Sequence, residues 1–436
     1  MKSLKIESGP LSGRVLSQPS KSMAHRAILC ALLAEGTSVI DNVVLSDDIT
    51  ATIHACRGLG AEITVENSTV YQGRKRVFIQ SSGKIQVTSP MIDCHESGST
   101  ARFIMPITRL CEEPVTLTGS GRLTTRPFDI YKRLFTEKGI HYSDDSGKMP
   151  IHLSGKLLPG EYILEGDVSS QFISGFLFVL PLLAGDSVIR IMGLVESKPY
   201  IAMTLDMLKQ FGIDIVYEDD YKIFTIRGQQ AYKPGNHVVE GDWSQAAFYC
   251  VLGAINGNIA IEGLNKDSLQ GDQVIVDIIR EMGAPIVFKG STLFIDKADI
   301  KAVSVDVAQC PDLVPAISVA AALCHGRSVI SNAARLRLKE SDRIKSVCEE
   351  LSKLGALVEE LPDGLIINGF KQFKGGKVDG WNDHRIVMAL AIASSRCEGV
   401  IEIVGYDAVT KSYPEFWDDL KSLGGKIKWE VSGEKN

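Results

Sequence analysis

A unit of roughly 70 residues is written six times along this chain, and that repetition restricts its fold more than any other feature. An apolar run of helical length opens near Ser22, Ser99, Ser170, Ser244, Asp312 and His384. About 16 residues after each opening comes a strand-like start, at Val39, Val115, Val188, Ile259, Val329 and Val400. A second, amphipathic run then ends on a glycine. Those glycines are Gly60, Gly139, Gly212, Gly283, Gly355 and Gly424, each followed within three residues by Ile, Val or Tyr, as when a glycine C-cap passes the chain to a strand.

The first run of each copy is apolar nearly all round, as in the stretches 27–33 and 176–183, so it predicts a buried helix. The second, for example the stretch 342–351, turns one face inward and one to water. A strand after each helix, with a further hairpin such as Val70 to Ile79 or Tyr221 to Ile226, makes each copy a two-helix, multi-strand α/β unit. Three such units would set buried helices inside a ring of sheets. A chain of 436 residues exceeds a single ordinary core, so two domains of three units are expected. The stretch 238–242 is the expected boundary, and the segment up to Gln18 can pair with either half.

Charge and cysteine usage exclude several classes. No stretch approaches the roughly 18 uninterrupted apolar residues of a membrane span, and residues 1–7 lack the apolar core of a secretory signal, so a cytoplasmic protein is expected. The nine cysteines are scattered without a Cys-x-x-Cys pair, which favours reduced thiols over a disulfide framework or a zinc site. A net charge of −6 argues against nucleic acid as the main partner and makes any cationic site local.

Cations nevertheless gather at helix openings, where unpaired N–H groups and the dipole ordinarily favour acids. Lys21, Arg26, Arg102, Arg126, Lys339, Arg343, Arg385 and Lys411 all fall at or within about one turn of a predicted helix start. Each motif alone has an ordinary reading. Ser22, Ser99 and Ser170 read as N-caps, Gly119-Ser120-Gly121 as a tight turn, Asp383-His384-Arg385 as a structural salt bridge, and Lys339-Glu340 with Arg343 as a solvated helix start. Their recurrence at equivalent openings favours a site for small phosphorylated or carboxylated molecules in a cleft between two domains. No Gly-x-Ser-x-Gly elbow, His-Glu-x-x-His or EF-hand loop is present, which leaves hydrolase and metalloprotease readings without support.

The motifs Lys21-Ser22-Met23-Ala24-His25-Arg26, Gly98-Ser99-Thr100-Ala101-Arg102, Arg126-Pro127, Ser169-Ser170-Gln171-Phe172, Ser197-Lys198-Pro199-Tyr200, Lys339-Glu340-Ser341-Asp342-Arg343, Asp383-His384-Arg385 and Lys411-Ser412-Tyr413-Pro414 fall in an order and spacing that span the chain. Together they closely resemble the 5-enolpyruvylshikimate-3-phosphate synthase family (3-phosphoshikimate 1-carboxyvinyltransferases) among the enolpyruvyl transferases. The resemblance implies a two-domain inside-out α/β barrel built from six βαβαββ repeats, three per domain. It implies domains of residues 20–238 and of residues 1–19 with 239–436, the first strand in the second domain and the active site in the interdomain cleft. It also implies transfer of the enolpyruvyl group of phosphoenolpyruvate to the 5-hydroxyl of 3-phosphoshikimate, with phosphate released through a tetrahedral intermediate, in aromatic amino acid (chorismate) biosynthesis. No metal or other cofactor is implied. The partners expected are the two small substrates, with neither nucleic acid nor membrane, and the chain is expected to act as a monomer.

By resemblance, Lys21, Gly98, Arg126, Gln171, Arg343, Arg385 and Lys411 hold phosphoenolpyruvate. Lys21, Ser22, Arg26, Ser169, Ser170, Gln171, Ser197, Tyr200, Asp312 and Lys339 hold 3-phosphoshikimate. Asp312 is the candidate base for the attacking hydroxyl and Glu340 the candidate that protonates the methylene carbon, with Lys21, Lys411 and His384 as further acid/base and charge-stabilising groups. The chain departs from the family pattern at Pro19, at Glu96-Ser97-Gly98-Ser99-Thr100 and at Arg335. With Gly98 retained, inhibition by glyphosate, which in that family occupies the phosphoenolpyruvate site, is expected. The nearest alternative is the sister transferase acting on UDP-N-acetylglucosamine. That family follows its N-terminal lysine with asparagine and carries a reactive cysteine near an Arg-Pro, whereas here Ser22 follows Lys21 and no cysteine shortly precedes Arg126-Pro127.

Overall fold

The computed structural model describes residues 2–430. It forms two compact units: one runs from Pro19 to Glu240, and the other joins the segment up to Gln18 to the chain from Gly241 onward. Each has its own hydrophobic core.

The six apolar runs are helices Lys21–Leu33, Gly98–Ile107, Ser170–Val179, Trp243–Ile255, Val314–Ala322 and His384–Ala393. From Ala27 to Leu32 every residue is fully buried, as an all-round apolar helix requires. In the second unit the three inner helices, Trp243–Ile255, Val314–Ala322 and His384–Ala393, all pack on one another. The caps differ from the expectation in the first unit. Ser20, Ser97 and Ser169 accept the capping bonds, from the backbone N–H groups of Met23, Thr100 and Gln171, so Ser22, Ser99 and Ser170 lie inside the first turn. In the second unit Asp242 and Asp383 cap inner helices, while Asp342 caps the amphipathic helix Arg343–Lys353. The six glycines that close the amphipathic helices have φ between +77° and +102°, where a side chain would be strained.

The described residues contain six four-stranded sheets with one spatial order: two parallel strands, then two that run antiparallel in succession. The second sheet, Met91–Asp93, Val115–Thr118, Lys148–Ser154 and His141–Asp145, has all its strands in one copy. Three sheets borrow a strand. Asn236–Val238 adds to Glu35–Val43 in the first, Gly13–Leu16 adds to Ile259–Glu262 in the fourth, and Ser3–Glu7 lies between Cys397–Val404 and Lys426–Glu430 in the sixth. The result is a mixed α/β fold. The hairpin expected from Val70 onward pairs Glu62–Asn67 with Lys75–Ser82 instead. Val70 is in the turn, because the Ser68 hydroxyl accepts the N–H groups of Val70 and Tyr71 at 3.2 and 3.0 Å and bends the chain there. Among the described residues no helix is long and apolar enough to cross a membrane.

Candidate active site

In the second unit the helix openings carry a dense charge cluster. The Arg343 guanidinium, 1% exposed, bridges three carboxylates. Its Nη1 donates to Asp312 Oδ1 at 2.8 Å, its Nη2 to Glu340 Oε2 at 2.7 Å, and its Nε to Asp383 Oδ2 at 2.8 Å. Asp312 also receives Arg385 Nη2 at 3.2 Å on its other oxygen, and Lys339 Nζ stands 3.6 Å from Oδ1. Asp312 follows Pro311 in a single 3₁₀ turn, Pro311–Leu313, that runs into helix Val314–Ala322, so local geometry aims its side chain from a helix start.

Burial pushes the Asp312 carboxyl up, but Arg385, Lys339 and Arg343 together outweigh it and hold the group well below the usual carboxylate range. Burial lowers Lys339 to about 8 against the opposing pull of Asp312. For Arg343, burial disfavours the cation, yet Asp383, Glu340 and Asp312 prevail and fix it as protonated.

Lys411 closes a 3₁₀ helix, Tyr406–Lys411, and its Nζ donates to the Asn382 carbonyl at 2.6 Å. Lys339, Arg126 and Lys411 therefore sit on connecting turns just before the amphipathic helices rather than inside them. His384, 2% exposed, opens helix His384–Ala393 with Nδ1 3.9 Å from Asp383 Oδ1.

In the first unit Lys21 Nζ pairs with Asp48 Oδ2 at 2.6 Å. Arg26, 2% exposed, spends three N–H groups internally, on the Thr204 hydroxyl at 2.8 Å and on the carbonyls of Ser22 and Tyr200 at 2.7 and 2.9 Å. These bonds tie helix Lys21–Leu33 to helix Lys198–Gln210, so Arg26 fixes where Ser22 and Tyr200 stand. Gln171 donates to the Ser99 hydroxyl at 2.8 Å and accepts from Arg102 Nη1 at 2.8 Å, which orients its amide. Ser169 and Ser170 open the same helix as Gln171, and Ser197 precedes Lys198–Gln210 with φ +53°, a left-handed backbone uncommon for serine. A Cβ built on Gly98 would stand 2.4 Å from Arg126 Nη1, so the bare backbone here makes room for a guanidinium.

A family model for EPSP synthase (3-phosphoshikimate 1-carboxyvinyltransferase) matches residues 6–420. The chain belongs to the EPSP synthase family. Proteins of Clostridium kluyveri and Clostridium acetobutylicum named 3-phosphoshikimate 1-carboxyvinyltransferase are 46% and 48% identical to it over 432 and 436 residues, covering 99% of this chain and 100% of theirs. A solved EPSP synthase from Acinetobacter baumannii superimposes with a TM-score of 0.81 at 25% identity, covering 99% of this chain and 100% of that one.

For this EPSP synthase family member the structure adds acidic residues that sequence reading passed over. Asp48 is the partner of Lys21, and Asp383, quoted only within its motif, holds Arg343. Asp272, 1% exposed, accepts from the Ser244 hydroxyl and is pushed up to about 7, first by burial and then by the field of Asp312. Arg335, one of the departures, donates to the Ala308 carbonyl.

Proposed function

We propose that this enzyme transfers the carboxyvinyl group of phosphoenolpyruvate to the 5-hydroxyl of 3-phosphoshikimate, with Asp312, Glu340 and their cations performing the chemistry. As a 3-phosphoshikimate 1-carboxyvinyltransferase it serves the shikimate pathway of aromatic biosynthesis. The observation that carries the residue roles is that Asp312 and Glu340 share one buried guanidinium, Arg343, two of whose nitrogens they hold at 2.8 and 2.7 Å. Phosphoenolpyruvate would draw Arg343 and Arg385 toward its own anions. Loosened from them, Asp312 regains proton affinity when the acceptor hydroxyl must be deprotonated, and Glu340 becomes able to carry the proton that goes to C3. The hydroxyl oxygen bonds to C2, C3 becomes a methyl group, and the tetrahedral adduct forms. C3 then returns a proton to Glu340 as the C2–O bond to phosphate breaks, and inorganic phosphate leaves with the proton that Asp312 took from the hydroxyl, which resets both carboxyl groups. Lys21, Arg126 and Lys411 would neutralise the phosphate and carboxylate, with Gln171 donating a hydrogen bond and His384 as a further charge-stabilising group. Ser22, Arg26, Ser169, Ser170, Ser197, Tyr200 and Lys339 would hold 3-phosphoshikimate.

The common order of the six sheets supports an inside-out barrel of three βαβαββ copies per domain. The two compact units are proposed as the two domains of a monomeric cytoplasmic enzyme. Phosphate release assayed with phosphoenolpyruvate and either 3-phosphoshikimate or UDP-N-acetylglucosamine tests the reading. Release with the first acceptor alone is expected, and release only with the nucleotide sugar would overturn it.

Two further outcomes are expected. Because Lys339 titrates near 8, its ammonium is lost as pH rises through that value, so kcat/KM for 3-phosphoshikimate should fall above pH 8. Lys339→Arg should flatten that limb; a limb unchanged in the variant would assign it to another group. Gly98→Ala should push the Arg126 guanidinium aside, because the obstructing atoms are the end of a flexible side chain. KM for phosphoenolpyruvate should rise about tenfold with a near-normal melting temperature, and an unaltered KM would count against Arg126 as a ligand.

A further inference from the structure

Helix Arg343–Lys353 carries a second buried charge two turns beyond Arg343. Glu350 is fully buried, and its carboxylate gathers four bonds. Oε1 accepts the Trp381 indole N–H at 2.7 Å and Lys353 Nζ at 2.7 Å; Oε2 accepts the Asp379 backbone N–H at 2.9 Å and the same ammonium at 2.9 Å. The element it grips is the turn joining strand Phe373–Asp379 to helix His384–Ala393. Two successive residues of that turn, Trp381 and Asn382, have φ of +53° and +51°. A bulky residue such as Trp rarely adopts that backbone, so the surrounding bonds must impose it. Asp379 Oδ1 accepts the Trp381 N–H at 2.6 Å, and a Cβ on the preceding Gly380 would stand 2.5 Å from Val387 Cγ2.

What this constrained turn presents is the reacting side of the unit. The Asn382 carbonyl accepts Lys411 Nζ at 2.6 Å, and the next residue, Asp383, takes Arg343 Nε at 2.8 Å and Ser341 Oγ at 2.9 Å. Helix Arg343–Lys353 thus holds the turn at two points, through Arg343 to Asp383 and through Glu350 to Trp381. We propose that Glu350 is a positioning residue for the transfer reaction: by clamping the Trp381 indole and the Asp379 amide it imposes the left-handed turn that aims the Asn382 carbonyl, and through it the Lys411 ammonium. The inference rests on the proposed role of Lys411.

Glu350→Gln keeps the side chain's shape but sets an amide N–H₂ against a donor, and Trp381→Phe removes the indole N–H while leaving Glu350 intact. Both are to be assayed for kcat, for KM of each substrate and for thermal melting, alone and combined with Lys411→Ala. The expected result is a kcat at least about tenfold lower for Glu350→Gln, a smaller loss for Trp381→Phe, KM for 3-phosphoshikimate within about twofold of normal, and no further loss when either change joins Lys411→Ala. If Glu350→Gln does not fold, Trp381→Phe carries the same test. Equal fold-losses with and without Lys411 would reduce Glu350 to a stability role and overturn the proposal, as would normal kcat in both single variants. Normal turnover in Lys411→Ala alone would instead sink the assignment of Lys411 and the inference with it, while phosphate release by the unaltered enzyme tests the overall reaction separately.

Discussion

Arg343→Met is expected to lower stability at neutral pH by about 3–5 kcal/mol and to abolish most turnover. The stability loss follows from what remains. Asp312, Glu340 and Asp383 each take a guanidinium nitrogen at 2.7–2.8 Å, and the Asp383 side chain has no exposure at all. Methionine fills the volume but leaves buried carboxylates facing one another without the one guanidinium that all three share, Arg385 and Lys339 remaining only beside Asp312. Thermal melts of the variant and the parent across pH test this cause against mere loss of packing. Asp312 and Asp383 are both buried groups that nearby cations hold below their ordinary values, so in the parent their stabilising contribution is present above the unfolded-state value near 4 and fades as pH falls through the folded values. The variant lacks that contribution, and its carboxyls discharge on protonation. The gap between the two proteins should therefore be widest near pH 7 and narrow in acid. A gap independent of pH would mean that the guanidinium matters through shape alone.

How far such a site can be read from sequence depends on whether its residues look unusual where they stand. The inner helices were legible because an all-round apolar run such as residues 27–33 has few other places to go, and the helix-closing glycines because only their φ freedom explains them. Lys339, Arg343 and Lys411 were legible as cations at positions where cations are disfavoured. The same rule hid the acids. Asp48 and Asp272 open the amphipathic helices of the first and fourth copies, where four other copies place Arg126, Ser197-Lys198, Lys339 and Lys411, so the six-copy frame pointed at both. An acid at a helix start is what electrostatics leads one to expect, and neither registered as an anomaly. The serine caps were misplaced by one or two residues because Ser20 and Ser22, Ser97 and Ser99, and Ser169 and Ser170 are equivalent by composition; only backbone angles decide which hydroxyl reaches the N–H. Glu350 was out of reach for another reason: beside Glu349 it reads as part of a solvated face, and its partner Trp381 is 31 residues away.

Asp312→Asn separates chemistry from binding at the position where the charges converge. The amide keeps the side chain's size and can still accept from Arg343 or Arg385, so the cluster should remain assembled. What it loses is the capacity to take a proton. If Asp312 is the base for the 5-hydroxyl, kcat should fall at least about a hundredfold, the scale of one positioned acid or base. KM for phosphoenolpyruvate should move the opposite way from a damaged site. Arg385, Lys339 and Arg343 now spend part of their charge on Asp312, and neutralising it leaves that charge to the substrate's phosphate and carboxylate, so KM should hold steady or drop. Lys339 supplies an internal check. The carboxylate is the main group supporting its ammonium against burial, so with asparagine the Lys339 titration should shift below 8 and the alkaline fall in kcat/KM for 3-phosphoshikimate should begin at lower pH. A variant with near-normal kcat would remove Asp312 from the proton transfer. One with normal kcat and a raised KM for 3-phosphoshikimate would make it a hydroxyl-binding group, and the base would then have to be sought among the first unit's residues, with Lys21, held by Asp48 at 2.6 Å, as the next to test.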